Sequence, residues 1–111
     1  MGADNAKVLW LLIVGHALGD FVLQNDGMAQ RKNFISNPMP AVPWYYWLGA
    51  HALTHGGLVT LITGSALLGI AEAVLHAYID HMKCAGKFSL LQDQLWHLAF
   101  KLLWALAAPA L

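Results

Sequence analysis

The chain has 111 residues with a formal net charge of zero, a hydrophobic fraction of 59% and only 11% charged residues. Its mean hydropathy is +0.54. Soluble domains average roughly 25% charged residues, so this composition argues against a water-soluble globule, and the neutral balance excludes a polybasic nucleic-acid binder. The expected class is an all-α integral membrane protein: one transmembrane domain over 1–111, a four-helix bundle with a short interfacial helix or loop between helices 1 and 2.

The run Val8–Leu23 resembles a signal peptide in length only. Its one basic flank is Lys7, it contains His16 and Asp20, and no small-residue cleavage pattern follows. It reads as a mature first helix over about 6–24, close to the ~20 residues that cross a bilayer. Gly15 and Gly19 give this helix a small-xxx-small face, and His16, Asp20 and Gln24 form an adjacent polar stripe.

Asn25-Asp26-Gly27 reads as a turn or helix start, and 28–34 as a short interfacial helix carrying Arg31 and Lys32. Pro38, Pro40 and Pro43 then forbid regular helix. Trp44, Tyr45, Tyr46 and Trp47 suit the headgroup level.

Helices 2 and 3 are expected over about 44–62 and 66–82, joined at Thr63-Gly64-Ser65, and helix 4 over about 89–107 with Ser89 as its N-cap. Cys84 is the only cysteine, which excludes an intrachain disulfide, and it reads as a small interfacial side chain. Basic residues sit in loops 25–43 and 83–88. The positive-inside rule therefore places those loops in the cytoplasm and both termini outside.

Each helix carries a pair of ionisable residues four apart: His16/Asp20, His51/His55, His76/Asp80 and Asp93/His97. That spacing stacks each pair on one helix face. With alternating chain directions and ~1.5 Å rise per residue, His16, His55, His76 and His97 fall in one layer. They lie roughly 10–15 Å inside the cytoplasmic helix ends by that rise. Asp20, His51, Asp80 and Asp93 fall one turn shallower. Glu72 and Lys101 fall one turn deeper, opposite in sign and matched in depth, so they should pair. His81 should point elsewhere, as an interfacial residue.

Inward-facing carboxylates and imidazoles are how helical bundles build metal sites. The candidate metal ligands are His16, Asp20, His51, His55, His76, Asp80 and His97. Zinc ranks first, with other divalent first-row ions suited to the same donors. That set exceeds one tetrahedral site, so some members orient others or two metals bind. Asp93 is the candidate general base, and Asp80 the second catalytic candidate. Lys32, Lys83 and Gln24 are the candidate substrate contacts at the rim. A buried polar network without metal is the competing reading of the same pairs, and a proton or ion path ranks last, because the outer half offers only Glu72 and Lys101.

The stretches HALGDFVLQ with Met28, Ala29 and Lys32, then HALTH, HAYIDHMK and DQLWH, resemble the uncharacterised domain-of-unknown-function family 3307. The motif residues carried over are His16, Asp20, Gln24, Lys32, His51, His55, His76, Asp80, Lys83, Asp93 and His97. The stretch 33–47 has no counterpart in the family pattern. The resemblance implies a small multi-pass protein of a bacterial or phage-encoded inner membrane and supplies no activity.

Two functions follow as expectations. One is an intramembrane metal-dependent hydrolase acting on a lipid-like or phosphate-containing substrate at the cytoplasmic leaflet. The alternative is a non-enzymatic structural or interaction subunit held together by its His/Asp network. Expected partners are membrane lipid and a homo-oligomer or larger membrane complex, with no nucleic acid.

Overall fold

Four long helices, each with one polar face, pack side by side and close that face inward. The computed structural model describes residues 2–24, 26–35 and 41–108. The elements are α1 (Ala3–Ala17) continuing into a π-helical turn (Leu18–Val22), α2 (Asp26–Arg31), α3 (Trp44–Thr63), α4 (Ala66–Cys84) and α5 (Leu90–Ala107). Contacts link α1 to α3, α3 to α4, α4 to α5 and α5 back to α1, which makes a ring. The expected boundaries of the last three long helices hold to within two residues. The first starts earlier than expected and leaves α-helical geometry at Leu18. Asn25, Pro38 and Pro40, expected in a turn and a proline-broken stretch, lie outside the described residues.

Local chemistry explains the ends. Pro43 precedes the first turn of α3, where a missing N–H costs nothing. Gly64 ends α3 at φ 73°, and Ser65 caps α4 by accepting from the Leu68 amide. Ser89 caps α5 as expected: its hydroxyl accepts from the Gln92 amide while Gln92 Oε1 accepts from the Ser89 amide. The α3–α4 hairpin is tight because Gly56 meets Gly69. A Cβ on Gly56 would stand 2.6 Å from the Gly69 carbonyl oxygen, and one on Gly69 would collide with Thr60.

The interior changes character along the bundle axis. One end is apolar, with Val8, Leu12, Val59, Trp104 and Ala105 clustered there. Next comes the buried Lys101–Glu72 ion pair, then the histidines and carboxylates, and at the far end Lys32 against Asp80.

The exterior is the reverse. Large apolar side chains such as Leu61 (82% exposed), Leu67, Ile70 and Val74 point outward. Between Trp10 and Leu23, Ala50 and Leu61, Leu67 and Tyr78, and Leu95 and Ala107, no exposed residue is charged. Thr54, exposed on α3, returns its hydroxyl to the Ala50 carbonyl of its own helix.

The expected all-helical class is what the chain adopts. Among the described residues only one helix, Asp4–Val22, is long and apolar enough by itself to cross a membrane. The reason is local: the inward-facing His, Asp, Glu and Lys side chains lower the mean hydropathy of the other three.

Candidate metal centre

All four i, i+4 pairs turn inward, and every member is buried. The rings of His16, His55, His76 and His97 share one layer. His55 stacks on His76 with centroids 3.7 Å apart, and His76 on His97 at 4.1 Å. His16 closes the group at 5.5 Å from His55 and 5.3 Å from His97.

Asp20 is the hub. Its Oδ1 lies 2.9 Å from His55 Nε2, 3.1 Å from His51 Nε2 and 3.6 Å from His76 Nε2. His51 and His76 bring their Nε2 atoms to 3.2 Å of each other. The expected separation of Asp20 from the histidine layer therefore does not hold. Asp20 sits in the π-helical turn, where the Leu23 amide bonds the Leu18 carbonyl five residues back. The wider turn takes Asp20 out of α-helical register, as π-turns at functional sites commonly do.

Gln94 is the site residue that the sequence reading missed. Its Nε2 donates to Asp20 Oδ2 at 3.0 Å and to Asp93 Oδ2 at 3.1 Å, and its Oε1 lies 2.9 Å from His16 Nε2. The available signal was position: Gln94 is three residues before His97, so the two share a helix face.

The sequence-selected residues sort into three groups. Asp20, His51, His55 and His76 bring ligand atoms within 4.8 Å of one another, as do Asp20, Asp93 and His97. His16 lies outside both sets, held by Gln94. Asp80 also lies outside them: its Oδ2 takes the Lys32 ammonium at 2.5 Å and stands 3.7 Å from His51 Nε2. Lys32 is therefore buried rather than presented at a rim. Gln24 is half-buried and donates to the Asp20 carbonyl. Lys83 is half-buried, with no ion-pair partner among the described residues. His81 is away from the cluster, stacked on Trp44 and facing Phe34.

The donor set fits a metal ion on three counts. First, a tetrahedral ion with bonds of ~2.0–2.1 Å spaces its ligand atoms about 3.3 Å apart. Four of the six distances among Asp20 Oδ1 and the ring nitrogens of His51, His55 and His76 run from 2.9 to 3.6 Å, and all six are within 4.8 Å. Second, three imidazoles crowd one carboxylate oxygen that has two lone pairs, and His55 Nε2 makes no hydrogen bond despite its proximity. Third, charge is unbalanced. Among the described residues the buried carboxylates are Asp20, Glu72, Asp80 and Asp93, whereas the buried ammonium groups are Lys32 and Lys101. Lys32 pairs with Asp80 and Lys101 with Glu72. Asp20 and Asp93 are left beside histidines, and a buried anion needs a cation.

Gly19 makes the approach of α1 to α3 possible here. A Cβ at Gly19 would lie 2.6 Å from His55 Cε1 and 2.7 Å from Nε2. Gly19→Ala should therefore push His55 off Asp20 and weaken metal binding by about 10–100-fold, the range seen when ligand orientation is disturbed. Metal titration of the variant checks this, with unchanged helical circular dichroism as the control.

The model of the family described as "Protein of unknown function (DUF3307)" matches residues 8–108. The chain belongs to that family. No curated protein and no solved structure matches it.

Proposed function

We propose that this chain is a membrane-embedded metal protein, with a divalent ion held by Asp20, His51, His55 and His76 and hydrolysis as its activity. The observation that carries the reading is the buried, charge-unbalanced donor set at ligand spacing. The membrane part rests on the inverted surface. Large outward apolar side chains and an inward ionisable core suit lipid as solvent, where polar groups must be satisfied internally. The Trp44–Trp47 cluster and Arg31, whose guanidinium lies 5.0 Å from the Trp47 ring centroid, mark one headgroup level. In this reading loops 25–43 and 83–88 face the cytoplasm of a bacterium, as their basic residues require.

A divalent ion bound here supplies Lewis acidity and an activated water at neutral pH. The chain's own residues do the rest. The imidazoles of His51, His55 and His76 together with Asp20 would hold the ion. Asp93 keeps one carboxylate oxygen, Oδ1, without a hydrogen bond, 3.4 Å from His97 Nε2, and is the group placed to take a proton. Lys83, at the end of α4, makes no ion pair among the described residues, and a cation there favours a phosphate-bearing or lipid-like substrate. A second reading, a non-enzymatic membrane subunit, is favoured by the self-contained bonding of Gln94, Lys32 and Asp80.

The test is elemental analysis of the full chain extracted in mild detergent, followed by turnover of phosphoester and carboxylester lipids. At least one divalent ion per chain, lost in His76→Ala, is expected. Metal well below one equivalent in the wild type, unchanged in His76→Ala, overturns the metal reading. Recovery in the soluble fraction without detergent overturns the membrane reading. Metal-loaded protein with no turnover of either lipid class selects the subunit over the hydrolase.

A further inference from the structure

The two oxygens of Asp20 face different donor sets. Oδ1 meets His51, His55 and His76. Oδ2 turns the other way, to Gln94 Nε2 at 3.0 Å and His16 Nε2 at 3.5 Å. Through Gln94 the Asp93 carboxylate stands beside Oδ2, and Asp93 and His97 bring ligand atoms within 4.8 Å of Asp20 and of each other without being part of the first donor set. Asp93 is 2% exposed, and its Oδ1 has no hydrogen-bond partner. Gln94 holds the Asp20 and Asp93 carboxylates together through one amide nitrogen, and among the described residues neither carboxylate has a lysine or arginine ion-pair partner. A neutral amide does not offset two adjacent buried negative charges.

We infer that the centre is dinuclear: the Asp20 carboxylate bridges a first cation, bound by His51, His55 and His76, and a second divalent cation bound by Asp93 and His97. This rests on the metal reading above and extends it to a second ion, with Asp93 then serving as a ligand of that ion instead of as the proton acceptor. Carboxylate-bridged pairs place two ions about 3.5–4 Å apart and clamp both oxygens of an in-line displacement, which suits a phosphoester substrate. Two divalent ions also explain why the cluster holds more donors than one tetrahedral site uses. Gln94 and His16 are positioning residues here: they aim Oδ2 at the second site without belonging to either donor set.

The experiment loads detergent-solubilised full-length protein with zinc chloride, and separately with manganese chloride. Two zinc ions per wild-type chain are expected, falling to one in Asp93→Asn and, independently, in His97→Gln. Two-equivalent manganese protein should show the multiline spin-resonance pattern of exchange-coupled ions, replaced by an isolated-ion spectrum in both variants. The wild-type spectrum decides the matter even if the variants misfold. One zinc per wild-type chain, with uncoupled manganese, overturns the second site but leaves the first, provided His76→Ala removes that ion. No bound metal at all overturns both readings.

Discussion

Asp20→Asn should abolish stoichiometric metal binding while leaving the helices in place. The amide keeps the shape of the carboxylate but not its charge, and it replaces one acceptor oxygen with a donor. Oδ1 alone meets three imidazoles, and Oδ2 takes the Gln94 amide, so no other single side chain touches as much of the site. Loss of a partner that merely orients a ligand weakens metal binding by about 10–100-fold. Loss of a ligand shared by the whole cluster should exceed the upper end of that range, so we expect a drop of roughly 100-fold or more in zinc affinity. Competition with a chromogenic chelator measures it. Asp20→Asn loses the hydrogen bonds the carboxylate accepts, so it should unfold at a lower temperature in either account of the cluster, and zinc separates the two. If the histidines only hydrogen-bond around the carboxylate, added zinc leaves the wild-type unfolding temperature unchanged, whereas a metal-holding wild type is raised by it. In the metal account, added zinc should restore little of the loss in Asp20→Asn. Wild-type zinc affinity in Asp20→Asn would remove Asp20 from the donor set.

Much of this site is legible along the chain, because helical period fixes side-chain direction before any packing is known. A spacing of four puts His16 with Asp20, and His76 with Asp80, on one face. Short connections make neighbours antiparallel, so depth follows from counting inward from the ends. That reasoning brings four histidines from four helices to one layer, and it matches Glu72 with Lys101, which do meet. It fails where the helix departs from its own period. The π-turn at Leu18–Val22 carries Asp20 into the histidine layer, and nothing in the residue types of that segment marks an i→i+5 bond. It also fails for contacts set by a third element. Lys32 follows α2, whose placement against the bundle no periodicity encodes, so its burial on Asp80 emerges only in three dimensions. Gln94 escapes the pattern for a different reason: a neutral amide beside Asp93 looks like a solvated neighbour until the carboxylates that take its protons are in place around it. The membrane question follows the same logic. The residues that build the site are those that lower the helices' mean hydropathy, so whole-helix averages obscure an outward surface that carries no exposed charge along the middle of the long helices.

The Lys101–Glu72 pair should carry the largest single-residue contribution to stability. Both side chains are 1% exposed, and they lie between the apolar end and the histidine layer. Removing one member of a buried pair leaves an uncompensated charge and costs about 3–5 kcal/mol. Lys101→Met, which retains most of the apolar stem, should therefore destabilise the bundle by that amount. A shift in the denaturant midpoint of the detergent-solubilised protein reads it out. The double variant Glu72→Leu/Lys101→Met leaves no buried charge at this level and should recover most of the loss, because hydrophobic replacements of buried pairs are often neutral or stabilising by about 1–4 kcal/mol. Stability, however, need not be what the pair supplies. It joins α4 to α5 one turn from His76 and His97, which stack across the same two helices. A sliding of α5 against α4 would break the ion pair and separate those rings together. The double variant should then be as stable as the wild type yet bind zinc more weakly, because apolar side chains tolerate small shifts in register that an ion pair does not. If the double variant matches the wild type in both respects, the pair has no part in positioning the centre. If Lys101→Met alone is as stable as the wild type, Glu72 is not a buried charge that needs a partner.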